Sequence, residues 1–184
     1  GQKLEDKVED AIEHVYKLKA FRYPTGGAVG TVRPLSNGAS VYVDHLVSTL
    51  SEEKPLAGQK IVLDCANGAA YSVSPAAFEA LGAEVVTLAV EPNGTNINDG
   101  VGSTHPEKLQ EAVIKHGADM GIAHDGDSDR CQAVDENGKL VDGDQIMAIL
   151  AVAAKNAGIL AQDTLVATVM SSLGLVLYLK EHGI

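Results

Sequence analysis

The first 50 residues contain one clear helical pattern and one turn-rich stretch. Apolar residues three or four positions apart predict a helix over residues 3–19. These apolar positions are Leu4, Val8, Ile12 and Val15. Residues 24–38 are rich in Gly, Pro, Ser and Asn, which is typical of a loop or interdomain connector. Residues 39–50 favour a helix, although residues 41–43 could also form a strand.

From residue 60 onward, short apolar runs alternate with helical patterns. The predicted strands are residues 60–66, 84–90, 118–124, 131–134, 140–141 and 164–170. The predicted helices are residues 69–81, 106–116, 145–157 and 173–182. Glu136-Asn137-Gly138 predicts a hairpin turn between the two shortest strands. The alternation predicts an α/β fold, namely a three-layer α/β/α domain with a mixed, largely parallel sheet.

Composition and charge narrow the function classes. The chain has 184 residues, of which 45% are hydrophobic and 21% charged, as in ordinary soluble globular proteins. Its formal net charge is −11 and it has no Lys/Arg cluster, so nucleic acid and anionic membranes are excluded as partners. Cys65 and Cys131 lie in apolar contexts without a C-x-x-C spacing, which predicts reduced thiols and a cytoplasmic protein.

The chemistry is concentrated in the acidic loop, residues 125–130, which follows the predicted strand 118–124. Asp125, Asp127 and Asp129 alternate along this loop and would repel one another without a cation. Magnesium and calcium prefer such carboxylate oxygens, and ligands bind at the carboxyl ends of parallel strands. We therefore predict a metal held by these three residues. Arg130 can bind phosphate with two hydrogen bonds, so the combination suggests phosphoryl chemistry.

The acidic loop also fits three other interpretations. It could be an exposed turn in which Arg130 is only a counter-charge. An EF-hand would use Glu136 at its twelfth position, but Arg130 stands where the sixth position needs Gly, and the flanks are predicted strands. An aspartyl-phosphate phosphatase loop would use Asp125 as the nucleophile. His124, beside the loop, fits either a packing role or a contact behind the metal ligands.

Several motifs, in order along most of the chain, resemble those of the α-D-phosphohexomutases, and within that family the phosphoglucosamine mutases. They are Asp64-Cys65-Ala66-Asn67-Gly68-Ala69-Ala70, Asn96-Ile97-Asn98, Gly102-Ser103-Thr104-His105-Pro106-Glu107, Asp125-Gly126-Asp127-Ser128-Asp129-Arg130, Val141-Asp142-Gly143-Asp144-Gln145-Ile146 and Val169-Met170-Ser171-Ser172-Leu173-Gly174. The chain departs from the family pattern at Val101, Ser128 and Ser172. Ser128 replaces a Gly and would be strained at a positive φ angle.

The resemblance implies an enzyme of four domains around one cleft, in which a phosphoserine on the first domain transfers its phosphate to the sugar. The net reaction would interconvert glucosamine 6-phosphate and glucosamine 1-phosphate. Mg²⁺ would be held by Asp125, Asp127 and Asp129, and Arg130 would steady the transferring phosphate. The expected partners are a hexosamine phosphate substrate and the remaining domains of the parent chain. A homodimer of the full-length protein is left open.

The resemblance also predicts a domain organisation. Residues 1–30 would be the tail of the first domain, residues 31–150 the second, metal-loop domain, and residues 151–184 the start of the third, which we expect to fray alone. No serine stands in the family's T-S-A-S-H-N-P context, so the chain alone is predicted to be inactive. Two rivals remain: a mutase for another sugar, such as a phosphomannomutase or phosphoglucomutase, and a non-catalytic acidic metal-binding module.

Overall fold

The computed structural model describes residues 3–19 and 21–184; residues 1, 2 and 20, which fall in the predicted segment 1–30, lie outside the described residues. The chain divides into two compact units, one ending at Ser36 and the other running from Asn37 to Ile184. The first unit contains helix α1 (Asp6–Lys17) within the predicted helical stretch, and none of its residues is buried. A short 3₁₀ turn, Gly26–Ala28, lies in the predicted loop.

The second unit contains the alternating elements. Its strands are β1 (Lys60–Asp64), β2 (Glu84–Leu88), β3 (Met120–His124), β4 (Cys131–Asp135) and β5 (Leu140–Val141). Its helices are α2 (Gly38–Ser48), α3 (Val73–Ala80), α4 (Glu107–His116), α5 (Gly143–Asn156) and α6 (Leu173–Glu181). The helical prediction for residues 39–50 is confirmed by α2. Among the described residues, no helix combines the length and the apolar character that crossing a membrane requires.

The five strands form one mixed sheet in the order β2-β1-β3-β4-β5. Strand β1 runs parallel to both β2 and β3. Strands β3, β4 and β5 pair antiparallel in turn, so the predicted hairpin is confirmed. Because β1, β2 and β3 run in one direction, their carboxyl ends meet at the same edge of the sheet, and the loops that follow them meet there too.

Two hydrophobic clusters lie on opposite faces of the sheet. On one face, Val62 of β1 packs with Leu109 and Val113 of α4, and all three are fully buried. On the other face, Ile61 and Leu63 pack with Phe78 of α3. The central strand β1 therefore buries alternate side chains on both faces, as a fully covered parallel strand does. This arrangement confirms the predicted three-layer α/β/α fold.

The predicted strand at residues 164–170 is wrong. These residues have no regular strand structure, and Val166 and Val169 are exposed, Val169 completely. A strand needs backbone partners on a neighbouring strand, and no segment of the described chain pairs with this one. The following helix α6 packs instead on α5, through a small cluster whose buried members are Ala151, Leu175 and Leu179.

Candidate metal centre

The acidic loop connects β3 to β4 at the edge where the parallel strands end. Asp125 directly follows β3 and its side chain is only 5% exposed, whereas Asp127 and Asp129 lie on the surface. One oxygen from each of the three carboxylates lies within 4.8 Å of the other two. The structure therefore brings together the three acids that the sequence singled out.

Arg130 neutralises part of this acidic group. Its Nε donates to Asp125 Oδ2 at 2.9 Å and to Asp129 Oδ1 at 3.2 Å, and its Nη2 lies 2.9 Å from Asp125 Oδ2. Its backbone N–H also donates to Asp125 Oδ1, at 3.1 Å. Burial raises the pKa of Asp125, but the hydrogen bonds and charge of Arg130 outweigh burial and hold that pKa below its ordinary value. The same contacts raise the pKa of Arg130.

The donor set fits a hard divalent cation. Three converging carboxylates are the oxygen ligands that Mg²⁺ and Ca²⁺ take, and Asp125 is buried while Asp127 and Asp129 are exposed. Asp125, Asp127 and Asp129 are thus the residues that would hold such a cation.

Ser128 has a left-handed backbone conformation, with φ at 63°. Its N–H donates to Asp125 O at 3.1 Å, which closes the turn that carries Asp127. A side chain at this φ is unfavourable, and Gly is the residue that adopts it freely. The strain predicted for a positive φ at this position is therefore present.

The turn between β1 and α3 lies directly against the acidic loop. A Cβ atom added at Gly68 would lie 2.2 Å from Gly126 O, so only Gly allows the two backbones to approach this closely. The N–H of Ala69, the next residue, donates to the same Gly126 carbonyl at 2.8 Å. The Asn67-Gly68 turn therefore fixes the position of the acidic loop.

A third segment, residues 96–103, contacts both the β1–α3 turn and the end of β3. Ser103 N–H donates to His124 O at 2.9 Å, and Asn98 N–H donates to Ala66 O at 3.0 Å. Gly102 has φ at 82°, and a Cβ there would lie 2.7 Å from both Ala66 Cβ and His124 O. The three loops at this edge of the sheet therefore support one another through backbone hydrogen bonds and close glycine contacts.

His124 is the last residue of β3 and points towards α3. Its Nε2 lies 2.9 Å from Ser74 Oγ. Burial lowers the pKa of His124 below its ordinary value, although the nearby carboxylates of Asp125 and Asp64 oppose this shift. The imidazole thus ties the end of β3 to a helix, as expected of the packing role.

The geometry also argues against two of the three alternative interpretations of the acidic loop, the EF-hand and the plain exposed turn. The loop is flanked by strands β3 and β4, whereas an EF-hand requires helices, and Glu136 is an exposed turn residue that bonds Asn137. Arg130 does act as a counter-charge, as in a plain acidic turn. A plain exposed turn, however, would not bury the Asp125 carboxylate or be held by two other loops.

Sequence reasoning assigned no role to Asp64. This last residue of β1 is fully buried, and its two carboxylate oxygens accept N–H groups from Ala66 and Gly102. The sequence does contain an indication of this role. Asp64 ends an otherwise apolar strand, and an acid is costly to bury there unless it accepts hydrogen bonds. Its second partner is distant in sequence and could not be identified.

Comparison with known proteins places this site in a family. The family model described as phosphoglucomutase/phosphomannomutase, alpha/beta/alpha domain II, matches residues 40–138, and the model for domain III matches residues 142–184. Phosphoglucosamine mutases from Saccharopolyspora erythraea and Kocuria rhizophila are 57% and 60% identical to the chain over its whole length. The chain spans 41% and 40% of the lengths of these relatives.

A solved structure agrees with these matches. The phosphoglucomutase/phosphomannomutase family protein of Burkholderia thailandensis is 26% identical, with a TM-score of 0.59 over 85% of this chain and 33% of that one. The resemblance to phosphoglucosamine mutases drawn from the motifs is confirmed. The chain belongs to the phosphoglucomutase/phosphomannomutase family, with its acidic loop in the second α/β/α domain.

Proposed function

We propose that the chain is the metal-loop part of a sugar-phosphate mutase that interconverts glucosamine 6-phosphate and glucosamine 1-phosphate. The observation that supports this most directly is the convergence of three carboxylates within 4.8 Å at the strand ends. The proposed substrate is supported by identities of 57% and 60%, over the length of this chain, to proteins named phosphoglucosamine mutase. Residues 31–150 would be the second domain, preceded by the tail of the first and followed by the start of the third.

Asp125, Asp127 and Asp129 would hold Mg²⁺, which when bound offsets negative charge on phosphate oxygens. The residues of this chain prepare that site in two ways. Asp125 is held by backbone and side-chain bonds from Arg130, and the two exposed acids supply the adjustable ligands. The phosphoserine and the sugar-binding groups would come from other parts of the parent enzyme, which we place in the cytoplasm.

Arg130 would change partners when the site is loaded. Its guanidinium now bonds two of the carboxylates that the metal needs, while its side chain remains 76% exposed. Cation binding would offset the same negative charge and weaken the hold on Arg130. The released guanidinium could then bind a phosphate group with two parallel hydrogen bonds. Arg130 is thereby proposed to support the phosphate being transferred.

The test uses the full-length parent protein with Mg²⁺ and a trace of hexosamine bisphosphate. Conversion of glucosamine 6-phosphate is followed beside mannose 6-phosphate and glucose 6-phosphate. We expect the amino sugar to be preferred and Asp127→Asn to lose at least a hundredfold in kcat/KM. Glu136→Gln is the matched control, since this exposed acid lies outside the acidic loop and should leave activity unchanged.

Other outcomes would contradict the proposal in separable ways. Preference for mannose 6-phosphate or glucose 6-phosphate would support a sugar-phosphate mutase but contradict glucosamine 6-phosphate as its substrate. If Asp127→Asn leaves turnover unchanged, the proposed role of Asp127 as a metal ligand is contradicted. No turnover of any sugar phosphate, together with a preference for Ca²⁺ over Mg²⁺, would favour a non-catalytic metal-binding module.

A further inference from the structure

Asp64 is a buried carboxylate whose surroundings call for an explanation. It is 0% exposed and ends the central strand β1. Its Oδ1 accepts the N–H of Ala66 at 2.9 Å, and its Oδ2 accepts the N–H of Gly102 at 2.8 Å. No ion pair to Asp64 occurs within residues 3–19 and 21–184. Both of its partners are therefore backbone donors.

The two partners of Asp64 belong to the two segments that hold the acidic loop. Beyond Gly102, the N–H of Ser103 donates to His124 O at 2.9 Å. Beyond Ala66, the N–H of Ala69 donates to Gly126 O at 2.8 Å. His124 and Gly126 are the residues directly before and after Asp125. The two carbonyls that flank this acid are thus each fixed by a segment that Asp64 clamps.

Each clamped segment contains a residue in the left-handed region of backbone conformation, which glycine adopts freely and alanine does not. Ala66 has φ at 54° and Gly102 has φ at 82°. A non-Gly residue such as Ala66 is unfavourable in this region and persists where surrounding contacts hold it. The hydrogen bond to Asp64 Oδ1 is one such contact.

We infer that Asp64 is a positioning residue for the metal loop, acting on Asp125 through Gly102–Ser103 and through the turn that contains Ala66. The inference rests on the proposed metal site. It requires a carboxylate in particular, because both partners are donors. An Asn side chain has one acceptor oxygen, and its NH₂ group would face one of the two N–H groups. Asp64→Asn should therefore weaken the hold on both segments, because the amide can accept only one of the two N–H groups at a time.

The experiment uses Mn²⁺ as the probe, with its binding to the 184-residue chain followed by water proton relaxation. Residues behind metal ligands typically change affinity by about 10- to 100-fold when mutated, so we expect Asp64→Asn to raise the Mn²⁺ dissociation constant by at least about tenfold. Amide exchange at Ser103 and Ala69 should accelerate in the same variant. Loss of the Asp64 charge would by itself also speed base-catalysed exchange, so the Gly102→Ala variant, which keeps the carboxylate, should likewise show faster exchange at Ser103.

Asp119→Asn is the matched control. Asp119 also accepts a backbone N–H, from Lys60 at 2.7 Å, but it lies at the amino-terminal edge of the same strands. The substitution removes the same charge far from the acidic loop, so Mn²⁺ affinity and exchange at Ser103 and Ala69 should stay at wild-type values.

Gly102→Ala tests the same path while keeping the Asp64 carboxylate. Its Cβ would lie 2.7 Å from His124 O, so the segment must move away from the end of β3. It should weaken Mn²⁺ binding by about tenfold or more as well. If Asp64→Asn fails to fold, this variant decides the question alone.

Wild-type Mn²⁺ affinity in Asp64→Asn, or unchanged exchange at Ser103 and Ala69, would overturn the inference. A wild-type chain that takes up no Mn²⁺ would instead count against the proposed metal site. In that case the exchange data still decide whether Asp64 positions the loop: faster exchange at both amides supports the inference, and unchanged exchange overturns it.

Discussion

At the scale of single residues, Arg130 and the metal are proposed to compete for the same oxygens. The guanidinium contacts Asp125 Oδ2 and Asp129 Oδ1, which belong to two of the three carboxylates proposed to hold the cation. An arginine that only organised the acids would favour metal binding. An arginine that neutralises them would oppose it, and the two roles can be separated by measurement.

Replacing Arg130 by Gln should tighten metal binding while it impairs catalysis. We expect a severalfold lower Mn²⁺ dissociation constant at low salt, because a competing positive charge is removed. Turnover of glucosamine 6-phosphate by the parent enzyme should fall at least tenfold, because the phosphate loses a bidentate donor. Lys139→Gln, at an exposed cation outside the loop, is the control. Weaker Mn²⁺ binding in Arg130→Gln would contradict the competition.

Ser128 provides a second prediction at this scale, one that concerns stability. Its φ of 63° penalises any side chain, and β-branched ones most. Ser128→Val should lower the free energy of unfolding by about 1–2 kcal/mol. Ser128→Gly should remain within about 1 kcal/mol of wild type, since relief of strain offsets the greater freedom of the unfolded chain. Urea unfolding of the three chains checks the order, and equal stability of the Val variant would refute it.

At the scale of elements, the close contact between the β1–α3 turn and the acidic loop is a structural requirement. Gly68→Ala would place a Cβ 2.2 Å from Gly126 O and force the two loops apart. We expect the sheet to remain folded and the Mn²⁺ dissociation constant to rise about tenfold or more, as for other residues behind metal ligands. Gly143→Ala, where an added Cβ meets nothing within 4 Å, should bind normally. Normal binding by Gly68→Ala would show that the loops can separate without harm.

The contact between α5 and the start of α6 should depend on pH. Asp144 Oδ2 accepts the N–H of Ser172 at 2.7 Å, and hydrogen bonds from Ser172 lower the pKa of Asp144 below its ordinary value. Because the folded pKa is the lower one, this bond stabilises α6 at pH above the unfolded value of about 3.9. The stabilisation is lost as the pH falls through the folded pKa.

Amide protection factors of α6 measured between pH 6 and pH 3 test this sign. In the wild type they should fall towards the acid end of the range. In Asp144→Asn they should be lower at pH 6 and change less with pH. Glu181→Gln, at an exposed acid of the same helix, should keep the wild-type profile. A rise in protection on acidification would contradict the assignment. The expected fraying of residues 151–184 stays a prediction, and the same data address it.

At the scale of the whole molecule, the 184-residue chain should have no mutase activity by itself. It spans 41% of the length of a relative named phosphoglucosamine mutase, and its sequence has no serine in the T-S-A-S-H-N-P context in which the proposed phosphoserine would stand. With Mg²⁺, hexosamine bisphosphate and glucosamine 6-phosphate, phosphorus NMR should show no conversion above the uncatalysed rate. The full-length parent protein is the positive control. Turnover proportional to the concentration of the chain would overturn this prediction.

The sequence alone determined those features that depend on local chemistry. The alternation of strands and helices follows from hydrophobic periodicity within each segment. The predicted helix over residues 106–116 corresponds to α4, and Gly117, at a φ of 57°, ends it through its own backbone conformation. The acids of the loop were recognised because three alternating carboxylates are costly without compensation, wherever the chain places them.

Only the tertiary structure decided the features that join distant segments. Residues 164–170 have the composition of a strand, but a strand exists only when another backbone pairs with it, and no described segment does so. Asp64 meets Gly102, 38 positions along the chain, because β1 and the loop before α4 meet at one edge of the sheet. The sequence therefore identified the acidic residues of the proposed metal site, whereas the packing of three loops set their positions, because hydrogen bonds and close contacts between distant residues form only in the folded chain.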